Sequence, residues 1–263
     1  LARLGVKAQV ADLTDTDTLD KIIADDACLI FAEYITNPQL EIVDIKKLSE
    51  VAHKHGLPLI VDTTAVPFTD IDARELGIDV EVLSSTKYIS GGATSLGGLI
   101  LDFGTFKEVN QRIRFEFLFN LGTYMTPQVA YMQTLGLETL NVRYQKQAQN
   151  ALDLAKALQQ LPQVKRVNYP GLSLGKPFGA MLTIDLESEQ KCFDFLNSLR
   201  LIRRATNLFD NKSLAIHPYS TIFVGFTPEE KKQMDILDTT IRLSMGLEDV
   251  NDLFEDIKQA LDK

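Results

Sequence analysis

The sequence has 263 residues, 45% hydrophobic and 24% charged, which is enough apolar material for one large or two ordinary domains and too much for a disordered or fibrous chain. A formal charge of -9 excludes the concentrated cations that a nucleic-acid or anionic-membrane surface needs, so small molecules are the expected partners. Cys28 and Cys192 are the only cysteines, which excludes a disulfide scaffold and a thiolate metal cluster. Both sit in apolar stretches and are expected to be small core residues in a reducing cytosol. No apolar run approaches the roughly 18 residues of a membrane span, and no basic-then-apolar leader precedes the first elements. The sequence opens on Leu1 rather than Met, so the first residue shown is not expected to be the first translated.

In chain order, Cys28 to Glu33 (CLIFAE) has the continuous apolar character of a buried parallel strand, stopped by Asn37-Pro38. Asp44 is placed to cap a helix in which Ile45, Leu48, Val51 and Ala52 recur at helical spacing, with Gly56 as its left-handed terminator. Leu59 to Asp62 (LIVD) predicts a second buried strand, and Ile71 to Leu76 a short helix. Val80 to Leu83 and Gly97 to Leu101 are two further strand-like segments. This βαβ grammar predicts an α/β fold. Thr126-Pro127 then opens a helical pattern running to about Leu161, interrupted near Gly136 and stopped by Pro162. Beyond it, strands at Ala180 to Leu186 and Thr240 to Ser244 and helices at Gln190 to Leu199 and Val250 to Leu261 predict a smaller α+β domain. The expected division is 1–125 for a large domain, 126–161 for a connecting helical segment and 162–263 for the small domain.

Open α/β sheets place ligands beyond the carboxyl ends of their strands. Asn37 follows the first strand, Asp62 closes the second, and Ser84-Ser85-Thr86-Lys87 follows the third, with 25 residues separating Asn37 from Asp62 and Asp62 from Lys87. Three strand ends are therefore expected to converge. A buried lysine, its pKa lowered by desolvation and neighbouring charge, can present a neutral amine that condenses with a carbonyl. An aspartate across a flat cofactor keeps a pyridinium nitrogen protonated, and Ser or Thr hydroxyls donate to a phosphate. These are the needs of pyridoxal phosphate. Taken singly, a strand-end Asp is an ordinary turn former and S-S-T-K an ordinary loop; their order and spacing carry the functional reading. His53 and His55, two residues apart on a helix, face different sides and predict no metal pair. His217 fits either a site-facing or a turn-forming role, Arg203-Arg204 a solvated strand edge, and Glu248, Asp249, Asp252, Glu255 and Asp256 the polar face of the last helix.

The segments ITNP, LIVDTT, DVEVLSSTKYISGG, IHPYST and IRLSMGLEDVNDLFEDIKQAL resemble the cysteine and methionine metabolism family of pyridoxal-phosphate enzymes, from about residue 5 onward. That group holds the cystathionine synthases and lyases, methionine gamma-lyase and the O-acetylhomoserine sulfhydrylases. The resemblance implies fold type I, with 1–125 as the C-terminal portion of a large cofactor-binding domain built on an incomplete, mainly parallel sheet. It implies Lys87 as Schiff-base lysine and proton shuttle, Asp62 on the pyridine nitrogen, Asn37 on the phenolic oxygen, and Ser84 and Thr86 on the phosphate. Arg242 and Asn207 are implied to hold the substrate's α-carboxylate, and no metal is involved. The stretch Gly91 to Gly98 (GGATSLGG) and Asn207 lean toward sulfhydrylases, implying replacement at the γ-carbon of an O-acylated homoserine by sulfide or a thiol in methionine and cysteine biosynthesis. A cystathionine or methionine gamma-lyase is the alternative; a catalytically incompetent fragment or interaction module is the other. The pattern usually has Asn at 63, His at 92, Gly at 209 and often His at 223, where this sequence has Thr63, Gly92, Phe209 and Phe223; the Phe209 ring is expected to narrow or reshape the carboxylate pocket. The family's glycine-containing phosphate loop, ring-stacking aromatic and Tyr-x-Arg segment have no counterpart in these residues. A cytoplasmic homodimer or homotetramer with a shared site is implied.

Overall fold

A computed structural model describes residues 2–263, which build two sheets. In the first, β1 (Ile30–Glu33), β2 (Leu59–Asp62) and β3 (Val80–Leu83) run parallel in that order, and β4 (Leu99–Asp102) adds antiparallel to β3. Helices α1 (Thr16–Ile22) and α2 (Ile45–Lys54) pack together on one side of this sheet. Asp44 caps α2 by accepting from the Lys47 amide, and Gly56 takes the left-handed conformation (φ 68°) that the turn into β2 requires. Ile45, Leu48 and Ala52 then meet Ile30, Ala32, Leu59 and Val61 in one core. The opposite face carries Phe31 and Ile100, both more than half exposed.

A helical stretch follows β4, made of α3 (Lys107–Gln111) and a wider-wound continuation at Arg112–Phe119. Helix α4 (Pro127–Glu138) starts at the expected Thr126 cap, and α5 (Leu140–Leu158) continues after a break at Thr139. The break lies where α4 meets the loop following Lys87: a Cβ on Gly136 would overlap the carbonyl of Ile89, so only glycine permits the approach.

The second sheet has the order β5-β6-β9-β8-β7, with β5 (Arg166–Asn168), β6 (Met181–Asp185), β7 (Arg203–Arg204), β8 (Leu214–Ile216) and β9 (Thr240–Ser244). All pairs are antiparallel except β7 with β8. Short helices α6 (Pro170–Leu174) and α8 (Pro228–Gln233) lie on connections, while α5, α7 (Glu189–Ser198) and α9 (Val250–Leu261) cover one face. Strand alternation divides β9 cleanly: Ile241 and Leu243 enter the helix-covered core with Leu182, Ile184 and Phe195, and Arg242 and Ser244 point the other way. On that other side a third apolar cluster, including Tyr88, Tyr144, Phe178, Ala180 and Met181, joins the two sheets.

Four expectations are corrected. Ile71 to Leu76 forms turns rather than a helix, because Asp72 caps the Arg74 and Glu75 amides and Gly77 (φ 77°) ends the segment after one turn. The segment at 97–101 becomes an antiparallel strand that starts only at Leu99. Cys28 is exposed, since β1 begins two residues later, whereas Cys192 is buried and its thiol is pushed up to about 12 by burial. Asp256 is not on a solvated face: it is 6% exposed and accepts the amides of Arg200, Leu201 and Ile202, each at 2.9 Å. Glu248 likewise accepts the amide and hydroxyl of Ser213.

Glu81, also buried, accepts the Thr63 hydroxyl at 2.5 Å, and burial raises its carboxyl above the ordinary range against the lowering effect of that bond. Two outcomes are expected. Asp256→Asn replaces one of the two acceptor oxygens by an NH2 that faces at least one backbone N–H, and should cost about 2 kcal/mol in denaturant unfolding; an unchanged midpoint would count against the clamp. A carboxyl raised on folding contributes stability below its unfolded pKa and loses it as pH climbs through the folded value, so Glu81→Gln should raise the melting temperature at about pH 8 and hardly at about pH 4. Equal shifts at both pH values would contradict the burial of that charge.

Candidate active site

The ends of β2 and β3 are tied together by Thr64. Its amide donates to Asp62 Oδ1 at 2.8 Å, and its hydroxyl accepts the Ser84 amide at 2.8 Å. The Lys87 amide donates to the Ser84 carbonyl and the Ser90 amide to the Ser85 carbonyl, so residues 84–91 coil tightly beyond β3 with Lys87 half-buried. Thr86 Oγ1 both donates to Gly97 O (3.2 Å) and accepts from Gly97 N (3.0 Å), clasping this loop to the approach of β4. Arg143 braces it from α5, donating to Tyr88 O at 2.8 Å, Gly136 O at 2.7 Å and Thr139 Oγ1 at 3.0 Å. Beside Asp62 in register lies Glu33, whose carboxyl is raised first by burial and then by the Asp62 charge.

From the second sheet, Arg242 reaches across to the same region. Its Nη1 donates to Asn37 Oδ1 at 3.1 Å and its Nη2 to the carbonyls of Thr206 (3.0 Å) and Asn207 (3.3 Å). The side chain of Asn207 in turn accepts from Lys87 Nζ at 2.6 Å. Arg242 is 2% exposed, and burial lowers its pKa to about 10. Among the described residues no carboxylate forms an ion pair with it. Lys87 is also lowered, first by burial and then by the positive charge of Arg242. The chemical capacity follows: an amine biased toward its neutral, nucleophilic form stands beside a buried guanidinium whose acceptors are all neutral, open to a ligand anion.

The structure thus links Lys87, Asn207, Arg242 and Asn37 by side-chain hydrogen bonds, and Asp62 to Ser84 through Thr64. With Asn37 Oδ1 committed to Arg242, its amide nitrogen is the group turned to donate elsewhere. Thr86 is the exception to a freely available set, because its proton is engaged by Gly97 O. Phe209 does not narrow the space beside Arg242. It is 1% exposed, lies within the third apolar cluster and stacks on Tyr88 with centroids 4.3 Å apart. Gly92 (φ 111°) leaves room for Asn211, whose amide holds the Gly91 carbonyl.

His217 is buried with its ring nitrogens bonded to Ser220 and the Asp238 carbonyl, a turn role. His53 pairs with Asp79 and His55 with Asp20, and no group of metal-ligating side chains occurs among the described residues. A surface groove of about 350 Å³ is lined by Pro162, Lys165, Leu186, Phe195 and Leu261, none of which belongs to the Lys87 cluster. Sequence reasoning missed Thr64 and Arg143; the second Thr of LIVDTT was visible, but nothing in NVRYQ distinguishes Arg143 from a surface cation.

Residues 1–262 match the Cys/Met metabolism PLP-dependent enzyme family. The chain is 34% identical over 275 residues to L-methionine gamma-lyase of Pseudomonas putida, covering 99% of this chain and 68% of that relative. It is 30% identical over 308 residues to O-acetyl-L-homoserine sulfhydrylase of Leptospira meyeri, covering 98% and 70%. A crystal structure from Campylobacter jejuni, assigned as an O-acetylhomoserine (thiol)-lyase and carrying a pyridoxyl-lysine phosphate, superposes with a TM-score of 0.92 at 32% identity over 100% of this chain and 72% of the other. The O-acetylhomoserine sulfhydrylase of Wolinella succinogenes superposes with a TM-score of 0.85 at 39% identity, covering 99% and 79%. An α/β chain whose half-buried lysine and buried arginine converge beyond the strand ends thus belongs to the pyridoxal-phosphate-dependent enzymes of cysteine and methionine metabolism.

Proposed function

We propose that this chain acts in γ-replacement: sulfide or a thiol forms a C–S bond at the γ-carbon of an O-acylated homoserine as the acyl group leaves with its oxygen as a carboxylate. The observation that carries this is the unpaired, buried Arg242 beside Lys87. An amino-acid substrate supplies both what the guanidinium lacks, an α-carboxylate, and a carbon acid for the lysine to deprotonate. The likeness to sulfhydrylases from Leptospira meyeri and Wolinella succinogenes supports replacement. The likeness to methionine gamma-lyase of Pseudomonas putida and cystathionine gamma-lyase of Bacillus subtilis favours a second reading, elimination.

The residues present fit pyridoxal phosphate by their donor chemistry. Lys87 has its pKa lowered toward the condensing amine; Asp62 has only Oδ1 engaged, by Thr64 N; Ser84 has its amide rather than its hydroxyl in a protein bond. Lys87 would hold the aldehyde carbon, Asp62 the pyridine nitrogen, Asn37 the phenolic oxygen, and Ser84 the phosphate. Thr86 would join Ser84 on release of Gly97 O. When bound, the group supplies an electron sink for carbanion character at the α- and β-carbons. The protein's part is to hold that geometry: Arg242 and Asn207 fix the carboxylate, and Lys87 moves protons at the α- and β-carbons.

The division into a cofactor-binding portion at 1–125, a connecting helical segment at 126–161 and a small domain at 162–263 belongs to the same proposal. So does assembly into a homodimer or homotetramer. Phe115, Phe119, Leu121 and Tyr124 are each more than 60% exposed, an apolar surface of the kind that associates. No described helix is long and apolar enough to cross a membrane; a cytoplasmic setting is proposed with the metabolic role.

Three outcomes are expected. The protein given pyridoxal phosphate should develop a yellow absorbance band that Lys87→Ala abolishes; no band in either would overturn the site. With O-acetylhomoserine and sulfide it should form homocysteine, whereas keto acid alone would establish elimination. Arg242→Lys, which loses the bidentate fork, should lower kcat/KM about 100-fold, chiefly through KM; an unchanged KM would remove Arg242 from the carboxylate.

A further inference from the structure

Residues 206–209 are held from two sides at once. The Thr206 and Asn207 carbonyls accept from Arg242, the Asn207 side chain accepts from Lys87, and the Phe209 amide donates to Ser244 Oγ at 2.7 Å. Phe209 ends this segment in a left-handed conformation (φ 58°), which a bulky residue adopts only where its surroundings over-determine it. The ring is 1% exposed and lies nearly parallel to Tyr88, with 18° between planes. Tyr88 directly follows Lys87. It is itself fixed by an edge contact with Tyr144, by the Ala180 amide on its hydroxyl and by Arg143 on its carbonyl. One aromatic stack therefore connects the residue after the reactive lysine to a residue two positions beyond the asparagine that holds the lysine's amine.

We propose that Phe209 is a positioning residue: its stack on Tyr88 sets residues 206–209 so that Asn207 meets the Lys87 amine while the Thr206 and Asn207 carbonyls orient Arg242. This rests on Lys87 and Arg242 being the reacting and binding groups. Without the ring, the turn at 209 is held only by its amide bond to Ser244, the segment relaxes, and water enters beside Lys87. Arg242 on β9 is the charged group acting on that amine, and burial the larger influence, so both lowering effects weaken together. Phe209 touches neither the reacting atoms nor, by this geometry, the substrate.

The experiment measures the pH dependence of Lys87 acylation by trace acetic anhydride in the cofactor-free protein, with peptide mass spectrometry to read position 87. Phe209→Gly suits the left-handed backbone and removes the stack; Phe209→Leu keeps apolar bulk without the stack; Phe209→Tyr keeps the ring. The Gly and Leu variants should move the Lys87 midpoint upward by about half a pH unit or more. In cofactor-loaded protein they should raise KM for the amino-acid substrate roughly tenfold, with a smaller change in kcat. Phe209→Tyr should restore the midpoint. Phe195→Leu, a core change on α7 where it packs against the second sheet, controls for lost stability and should lower the melting temperature without moving Lys87. A midpoint unmoved in both Gly and Leu variants would overturn the positioning role, whether or not cofactor binds. Failure of the unsubstituted protein to bind cofactor, with the midpoint still shifting, would overturn the enzymatic reading alone.

Discussion

A guanidinium buried to 2% exposure with only neutral acceptors around it is the constraint on which the rest of this architecture turns. Removing such a charge from water costs several kcal/mol, and carbonyl or amide oxygens return only part of that. Arg143 too is buried among neutral acceptors, where burial alone lowers its pKa. Arg242 has in addition a second cation within electrostatic range, Lys87, whose proton it helps to displace. The two form a local excess of positive potential that a bound carboxylate would relieve. Binding that anion would also weaken the effect of Arg242 on Lys87, so substrate binding and the amine's proton affinity are coupled through one pair of side chains.

What holds that pair in place is a division of labour between sheets. The parallel strands of the first sheet deliver Asp62, Ser84 and Lys87 to one end, and Thr64 fixes the offset between β2 and the loop after β3. The mainly antiparallel second sheet turns Arg242 and Ser244 toward the first sheet's side by strand alternation, while its other face is buried under α5, α7 and α9. The junction is then closed by contacts that leave little freedom. Tyr88, Tyr144 and Phe209 pack as an aromatic group, Gly136 lets α4 touch the lysine loop, and Arg143 binds three acceptors around it. A reaction requiring proton transfers at adjacent carbons gains from such fixed donors.

Strands and capped helices were legible because their signals are local: Asp44, Gly56 and Thr126 act within a few residues of where they stand. The cluster at Asn37, Asp62 and Lys87 was legible through order and spacing, since βα units deliver strand ends at regular intervals. Arg242 was reached only through resemblance; nothing local distinguishes a strand arginine that enters a site from one that faces water. Asp256 was misread because helical spacing reports the helix and not the chain that crosses it, and here the three amides at Arg200, Leu201 and Ile202 need its carboxylate. Phe209 was misread for the complementary reason. A bulky residue where glycine is usual suggests an obstruction, but the direction of its ring depends on Tyr88, 121 residues earlier in the chain.

If Lys87 is the reacting amine, it meets an aldehyde in preference to every other lysine in the protein. Borohydride reduction after brief incubation with equimolar pyridoxal phosphate, followed by peptide mapping, tests it directly. A phosphopyridoxyl adduct confined to the peptide containing Lys87, and suppressed when that residue is replaced, is expected. Adducts scattered over exposed lysines such as Lys7, Lys46 and Lys191, with Lys87 unmodified, would contradict it.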